Sequence, residues 1–441
     1  MEEKELKLKQ AIHDAYNAML GSKTPREFQL ETLFNLSKIR SDSENRAYIV
    51  VATGGGKTTV AVMDLLMFAD NYYKHHGTFP KILWLAHRKE LLDQATEDLV
   101  QSNSNLDEVS ELDNQRETLI EAEINSEEQI AGLSIPVIRD PGLYNNSDSQ
   151  GILVTSVQKM YNQKDSFAKD SFDYIVIDEA HHAYARTYQE ILEHFDGAFQ
   201  LGLTATPYRF SDRRDVGDYF LNKAMDKNLV DLVNTGLLTT HYFNLVKTNI
   251  TLEDVNMNGP EYALPALWKR IKASCRNDVI VDTFLSFSKQ TGHYARLGNS
   301  NLDLEKKAKA PTLVFAINQE HAKTLAQAFQ EKGVLADYLI GSANAKTRTQ
   351  KIEDFKNGKI QVLVTVDILN EGFDFPPIEL ILMTRPTRCK TIYLQQLGRG
   401  SRLSPLTNKS SVLIIDFVDN MSAYQQAVSY THLTLPTILR V

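Results

Sequence analysis

Cysteine is nearly absent from this 441-residue chain: Cys275 and Cys389 stand far apart and show no metal-ligand spacing. That argues against a disulfide framework or a zinc site, and fits a reducing, cytoplasmic setting. No apolar run is long enough to span a bilayer, so no membrane role is expected. The opening Met1-Glu2-Glu3-Lys4-Glu5 is charged and lacks the apolar core of a signal peptide. Net positive charge is also missing, since the formal balance is −8. This does not exclude nucleic acid, because backbone binding needs a local basic stripe and not a basic total. Much of the acidity sits in one place: nine acidic residues and only Arg116 as a base between Gln101 and Ile130. Such a charge run reads as a solvated surface insertion, and without it the chain is nearly balanced. What remains is ordinary for a globular protein, with 42% apolar and 24% charged residues. The length suggests two or three domains.

Short apolar, β-branched runs alternate with helical patterns, as a parallel α/β sheet requires. In the first half the expected strands are Ala47–Ala52, Lys81–Ala86, Gly151–Thr155, Tyr174–Ile177 and Phe199–Leu203. In the second half they are Pro311–Ala316, Ala336–Ile340, Ile360–Val366, Ile378–Met383 and Ser411–Phe417. Helical stretches at Arg88–Val100, Gln319–Glu331 and Lys346–Asn357 provide crossovers between them. Two similar open sheets are therefore expected. The boundaries read as a first domain over 1–215 with its acidic insertion at about 101–150, a linker over 216–240, and a second domain over 241–427. Residues 428–441 stand apart. The run Val428-Ser429-Tyr430-Thr431-His432-Leu433-Thr434-Leu435-Pro436-Thr437 reads like a translated sequencing-library adapter, so the native frame is expected to break near Ala427.

Four short motifs succeed one another in fixed order. The first, Thr53-Gly54-Gly55-Gly56-Lys57-Thr58-Thr59, runs from an apolar strand into an apolar helix. Glycines let backbone N–H groups face phosphates, and the helix N-terminus favours an anion. Lys57 then suits the β- and γ-phosphates, and the Thr58 hydroxyl suits magnesium. Val51 stands where the general phosphate-loop pattern has its first glycine. The second motif, Asp178-Glu179-Ala180-His181, ends an apolar strand, where carboxylates project into the crevice that α/β sheets use for ligands. Asp178 is the candidate magnesium ligand through water, and Glu179 the group that orients and deprotonates the attacking water. The third is Thr204-Ala205-Thr206-Pro207, and the fourth is Gln395-Gln396-Leu397-Gly398-Arg399-Gly400-Ser401-Arg402. If helical, Arg399 and Arg402 share a face, with Gln395 one turn earlier. An arginine placed on a transferring phosphoryl group is worth about 10³–10⁵ in rate.

Together these motifs resemble the superfamily-two helicases and translocases. The wording DEAHH, TATPYR and YLQQLGRGSR is most similar to the bacterial type III restriction-like and excision-repair helicase group, and less to the DEAD-box RNA helicases. The resemblance runs from about Thr24 to Asn420. It implies two tandem RecA-like domains, each a mostly parallel sheet flanked by helices, with ATP and Mg2+ held in the interdomain cleft. Within Thr24–Gln29, which resembles an adenine-reading motif, it makes Gln29 the adenine reader with Arg26 in support. It makes Gly372 and Asp374 neighbours of the ribose and phosphates, and His181, Thr204 and Thr206 the residues that couple hydrolysis to motion. Arg88, Ser156, Gln158, Phe315, Asn318 and Thr365 become candidate nucleic-acid contacts at strand ends, of the kind that hold phosphates without reading bases.

The implied activity is ATP-dependent movement along nucleic acid, or its unwinding, with DNA favoured over RNA. Two readings stay open beside it: an RNA helicase, and an ATP-switched motor subunit of a restriction or repair assembly with a nuclease or repair partner. A motor that binds ATP without hydrolysing it conflicts with the intact Lys57, Asp178, Glu179, Arg399 and Arg402.

Overall fold

In a computed structural model of the protein, the residues described are 9–10, 12–13, 25–87, 91–100, 102, 135–145, 150–208, 214–248, 250–259, 261–291, 303–366, 375–418 and 438–440. Of the acidic insertion, 103–134 and 146–149 lie outside them, while 135–145 are described. The chain divides into two units, Met1–Ala52 with Gly56–Asn228, and Leu229–Val441 with Thr53–Gly55.

The first unit is built on strands β1 (Arg46–Val51), β2 (Lys81–Ala86), β3 (Val137–Ile138), β4 (Gly151–Ser156), β5 (Tyr174–Asp178), β6 (Phe199–Thr204) and β7 (Asn222–Lys227). They form one parallel sheet in the order β3-β4-β2-β5-β6-β1-β7. Because every strand runs the same way, all carboxyl ends meet at one edge. Register places them level: Val50 faces Thr204, and Asp178 faces Leu203. Helices α1 (Glu27–Ser41) and α2 (Lys57–His76) flank this sheet. A buried polar cluster joins three of its elements. Arg40 of α1 makes a two-pronged ion pair with Asp64 of α2, at 2.6 and 2.7 Å, and the Tyr174 hydroxyl of β5 donates to Asp64 at 2.5 Å. Helix α1, whose first turn holds Gln29, and α2, which starts from the phosphate loop, are thereby tied to the strand that ends in Asp178.

The second unit contains β8 (Thr240–Lys247), a small hairpin of β9 (Met257–Asn258) and β10 (Glu261–Tyr262), and then β11 (Thr312–Phe315), β12 (Ala336–Leu339), β13 (Val362–Thr365), β14 (Leu380–Met383), β15 (Ser411–Val418) and β16 (Ile438–Arg440). Its main sheet is again parallel, in the order β12-β13-β11-β14-β15-β8-β16. Alternation along β11 feeds two cores: Val314 packs with Val364, Leu382 and Ile415, whereas Leu313 and Phe315 pack with Leu363, Ile381 and Ile414. A strand covered on both faces is apolar throughout, which is why these runs were legible.

The two units part between Asn228 and Leu229, inside the expected linker of 216–240, yet part of that span is sheet. Residues 216–240 include β7, which pairs with β1 and closes the edge of the first sheet. The segment Asn222-Lys223-Ala224-Met225-Asp226-Lys227 is a half-buried edge strand, so only Ala224 and Met225 are buried and the apolar signal is weak. Strand β8 was missed for a different reason. Its buried His241 and Asn244 interrupt the hydrophobic pattern, although it pairs with β15 along its whole length. Ile438–Arg440, within the adapter-like tail, lies beside β8 as the outermost strand.

Candidate active site

The phosphate loop joins β1 to α2. Gly54 and Gly56 hold φ of +86° and +92°, a region costly for residues with a side chain. Gly56 serves as N-cap of α2, so Lys57, Thr58 and Thr59 form its first turn, where backbone N–H groups are left for an anion. A Cβ on Gly56 would also lie 3.0 Å from Nε2 of Gln29. Gln29 is buried, and its Oε1 accepts the backbone N–H of Arg26 at 3.0 Å, which caps α1. Arg26, Gln29 and Gly56 are thus brought together. Gln29 has a task not foreseen from sequence, capping its own helix beside the loop.

The acidic motif continues directly from β5. Asp178 is buried at the strand end, and its Oδ1 accepts the Glu179 backbone N–H at 2.9 Å. Glu179 itself has φ +52°, a strained left-handed conformation for a residue with a long side chain. That turn aims its carboxylate at the phosphate loop, where Oε1 lies 3.3 Å from Nζ of Lys57. Its Oε2 lies 3.3 Å from Nδ1 of His181. Burial alone would raise the Glu179 pKa, but the Lys57 ammonium and His181 outweigh it, and the carboxyl sits well below the ordinary carboxylate range. Glu179 is therefore held as an anion.

From Glu179 the network continues to the third motif. The Thr204 hydroxyl donates to the Thr206 carbonyl at 2.8 Å and accepts the Thr206 N–H at 3.2 Å. Its one proton is spent, so His181 Nδ1, 3.1 Å away, carries the hydrogen and donates to Thr204 Oγ1. The nearby Glu179 carboxylate favours the same tautomer. Lys57, Glu179, His181, Thr204 and Thr206 form one continuous polar chain across α2, β5 and β6.

In the second unit the arginine motif comes after helix α3 (Lys390–Gly398). Arg399 Nε donates to the Gln395 carbonyl at 3.4 Å, and both residues are buried. The helix ends at Gly398, and the chain turns through Gly400 and Ser401 by tighter bonds back to Leu397 and Gly398. The helical face shared by Arg399 and Arg402 is therefore not formed; Arg402 lies beyond the helix. Gly400 is needed by the packing, since a Cβ there would lie 2.8 Å from both Ile381 and Val412. Ser401 Oγ donates to the Leu397 carbonyl, so His241 Nε2 donates to Ser401 Oγ at 2.9 Å. Burial, helped by Lys409, holds the His241 pKa down to about 4, which keeps the ring neutral for this role. Nothing in the motif spacing pointed to His241.

The candidate nucleic-acid contacts fare unequally. Ser156 is the N-cap of Val157–Gln163, accepting the Lys159 N–H at 3.2 Å. Asn318 caps Gln319–Glu331 in the same way. Gln158 is exposed and bonded to Asn162. Phe315 packs in the apolar core at 1% exposure, and Thr365, at the end of β13, is 0% exposed, so neither side chain is open at the surface. Both were assigned from their place near strand ends, where inward and outward positions alternate. Arg88, Gly372 and Asp374 lie outside the described residues.

Comparison with known proteins accounts for this arrangement. Residues 22–209 match the family described as the res subunit of type III restriction enzymes, and residues 294–404 match the helicase conserved C-terminal domain. A Saccharomyces cerevisiae protein assigned as the ATP-dependent helicase IRC3 is 27% identical over 400 residues, covering 89% of this chain and 51% of its own length. The Escherichia coli type I restriction enzyme EcoAI endonuclease subunit is 24% identical over 415 residues, covering 90% and 46%. A solved fragment assigned as the HsdR subunit of a Vibrio vulnificus type I restriction enzyme shares the fold, with a TM-score of 0.62 at 22% identity, covering 93% of this chain and 67% of that one. The chain belongs to the superfamily-two helicases, in their type III restriction-like group. Its two units are the tandem RecA-like domains of that superfamily. It spans about half the length of the curated relatives it matches.

Proposed function

We propose that this chain is an ATP hydrolase whose turnover is stimulated by nucleic acid and drives movement along, or unwinding of, DNA. The observation that carries the reading is the Lys57–Glu179 pair, which sets a phosphate-binding cation against a water-orienting carboxylate. Polyphosphate seated on the loop would draw Lys57 towards its charge. Glu179 would then lose the strongest cause of its low pKa and become a better base at the moment the attacking water must give up a proton. Asp178 and Thr58, a buried carboxylate and a hydroxyl, suit Mg2+, which keeps most of its waters and takes few protein ligands. Bound there, the ion would neutralise charge on the phosphates. Arg399 and Arg402 supply further positive charge to the transferring group. The bond from His181 to Thr204 passes a change at Glu179 to the Thr206 loop, and so couples hydrolysis to motion.

DNA is favoured over RNA because the relatives include restriction endonuclease subunits, and Ser156 and Gln158 are kept as candidate backbone contacts. A nuclease or repair partner is consistent with those relatives. Among the described residues, no helix is long and apolar enough to cross a membrane. ATP turnover measured with duplex DNA, single-stranded DNA and RNA tests the reading. Stimulation by DNA supports it; stimulation by RNA alone makes this an RNA helicase.

A further inference from the structure

Helix α3 leads directly into Arg399, yet it does not cap itself. Cys389, its N-cap residue, makes no side-chain cap bond. The cap comes instead from Glu261, on the β9–β10 hairpin 128 residues earlier. Glu261 Oε2 accepts the Cys389 N–H at 3.0 Å and the Thr387 hydroxyl, and Oε1 accepts the Arg388 N–H at 3.1 Å. Thr387 Oγ1 also accepts the Cys389 N–H, at 3.1 Å. A carboxylate fits this place because the helix N-terminus carries partial positive charge and unpaired N–H groups.

The carboxylate is fixed from outside the helix. Its Oε1 also accepts the Tyr262 N–H at 2.8 Å. Tyr262 is buried in a small separate core with Leu252, Val255, Leu267, Trp268 and Ile271. Two further tethers act lower down. Tyr393 donates to Asp416 at 2.9 Å, and the Ser401 carbonyl accepts the Thr239 N–H at 2.8 Å. A nine-residue helix is only about 14 Å long, so a slide or roll at its first turn is delivered to its last.

We propose that Glu261 is a positioning residue for the arginine motif: by capping α3 from the hairpin it sets where Gln395 and Arg399 stand. This rests on the ATPase reading given above. The test is a double-mutant cycle in ATP hydrolysis between Glu261→Ala and Arg399→Ala, with Glu261→Gln as the milder variant that keeps one acceptor oxygen. Glu261→Ala is expected to lower kcat about ten-fold with KM for ATP changed less than about two-fold, and Glu261→Gln to fall between it and the wild type. In the Arg399→Ala background the Glu261→Ala effect should vanish, because Glu261 acts through that arginine. An undiminished effect in that background, or a rise in KM without loss of kcat, overturns the proposal. Should the wild type hydrolyse no ATP, the functional reading fails, and amide exchange then decides the positioning role. Faster exchange over 390–399 in Glu261→Gln, with 27–87 unchanged, supports it; unchanged exchange over 390–399 overturns it.

Discussion

The ammonium of Lys57 stands 3.3 Å from one carboxylate oxygen of Glu179, while the other lies 3.3 Å from the His181 ring. One side chain thus answers to the phosphate loop directly and, through His181 and its bond to Thr204, to the third motif. Its left-handed backbone is the local cost of that position. Glu179→Gln should keep nucleotide binding, since Lys57 is released for phosphate, while turnover falls by about 10² or more. Equilibrium binding of a fluorescent ATP analogue beside steady-state hydrolysis checks this. Loss of binding together with turnover would mean that the pair holds the loop together and has no chemical part.

The link from His181 to Thr204 should separate hydrolysis from work. Thr204→Val removes the hydroxyl that accepts from His181 and holds the Thr206 loop, yet leaves Lys57 and Glu179 in place. DNA-stimulated turnover should fall by no more than about ten-fold, while displacement of a DNA strand or triplex is lost. Thr204→Ser, which retains the hydroxyl, should recover displacement.

Arg40, Asp64 and Tyr174 test packing apart from chemistry. Asp64→Asn leaves the Arg40 guanidinium without its charged partner and should cost about 3–5 kcal/mol of stability. Tyr174→Phe removes one hydrogen bond to the carboxylate and should cost about 1–3 kcal/mol. Urea unfolding of the two variants measures both.

The motif order made the phosphate loop, the acidic pair and the two-sheet fold legible because doubly covered strands are uniformly apolar and end in chemistry-bearing residues. Other features left no such trace. β7 is an edge strand, β8 carries buried His241 and Asn244, and Gln29 and Glu261 act through backbone N–H groups that no residue pattern records. Phe315 and Thr365 stand near strand ends, yet their side chains are buried, which place along a strand does not disclose.

His241 gives the protein an acid-sensitive anchor. Its folded pKa of about 4 lies below the ordinary value near 6.5, so the unfolded chain takes up the proton first. Its contribution is complete above about pH 6.5 and is lost as pH falls towards 4, amounting to about 3 kcal/mol at most. His241→Gln, which cannot titrate, should flatten the decline in stability between pH 7 and pH 4 measured by urea unfolding.

The most direct measurement is steady-state ATP hydrolysis by the wild type and Glu179→Gln, each alone and with duplex DNA, single-stranded DNA and RNA. A rate raised several-fold by DNA and abolished in Glu179→Gln is the predicted result. Hydrolysis absent under every condition, or unaffected by Glu179→Gln, would contradict the role given to the Lys57–Glu179 pair.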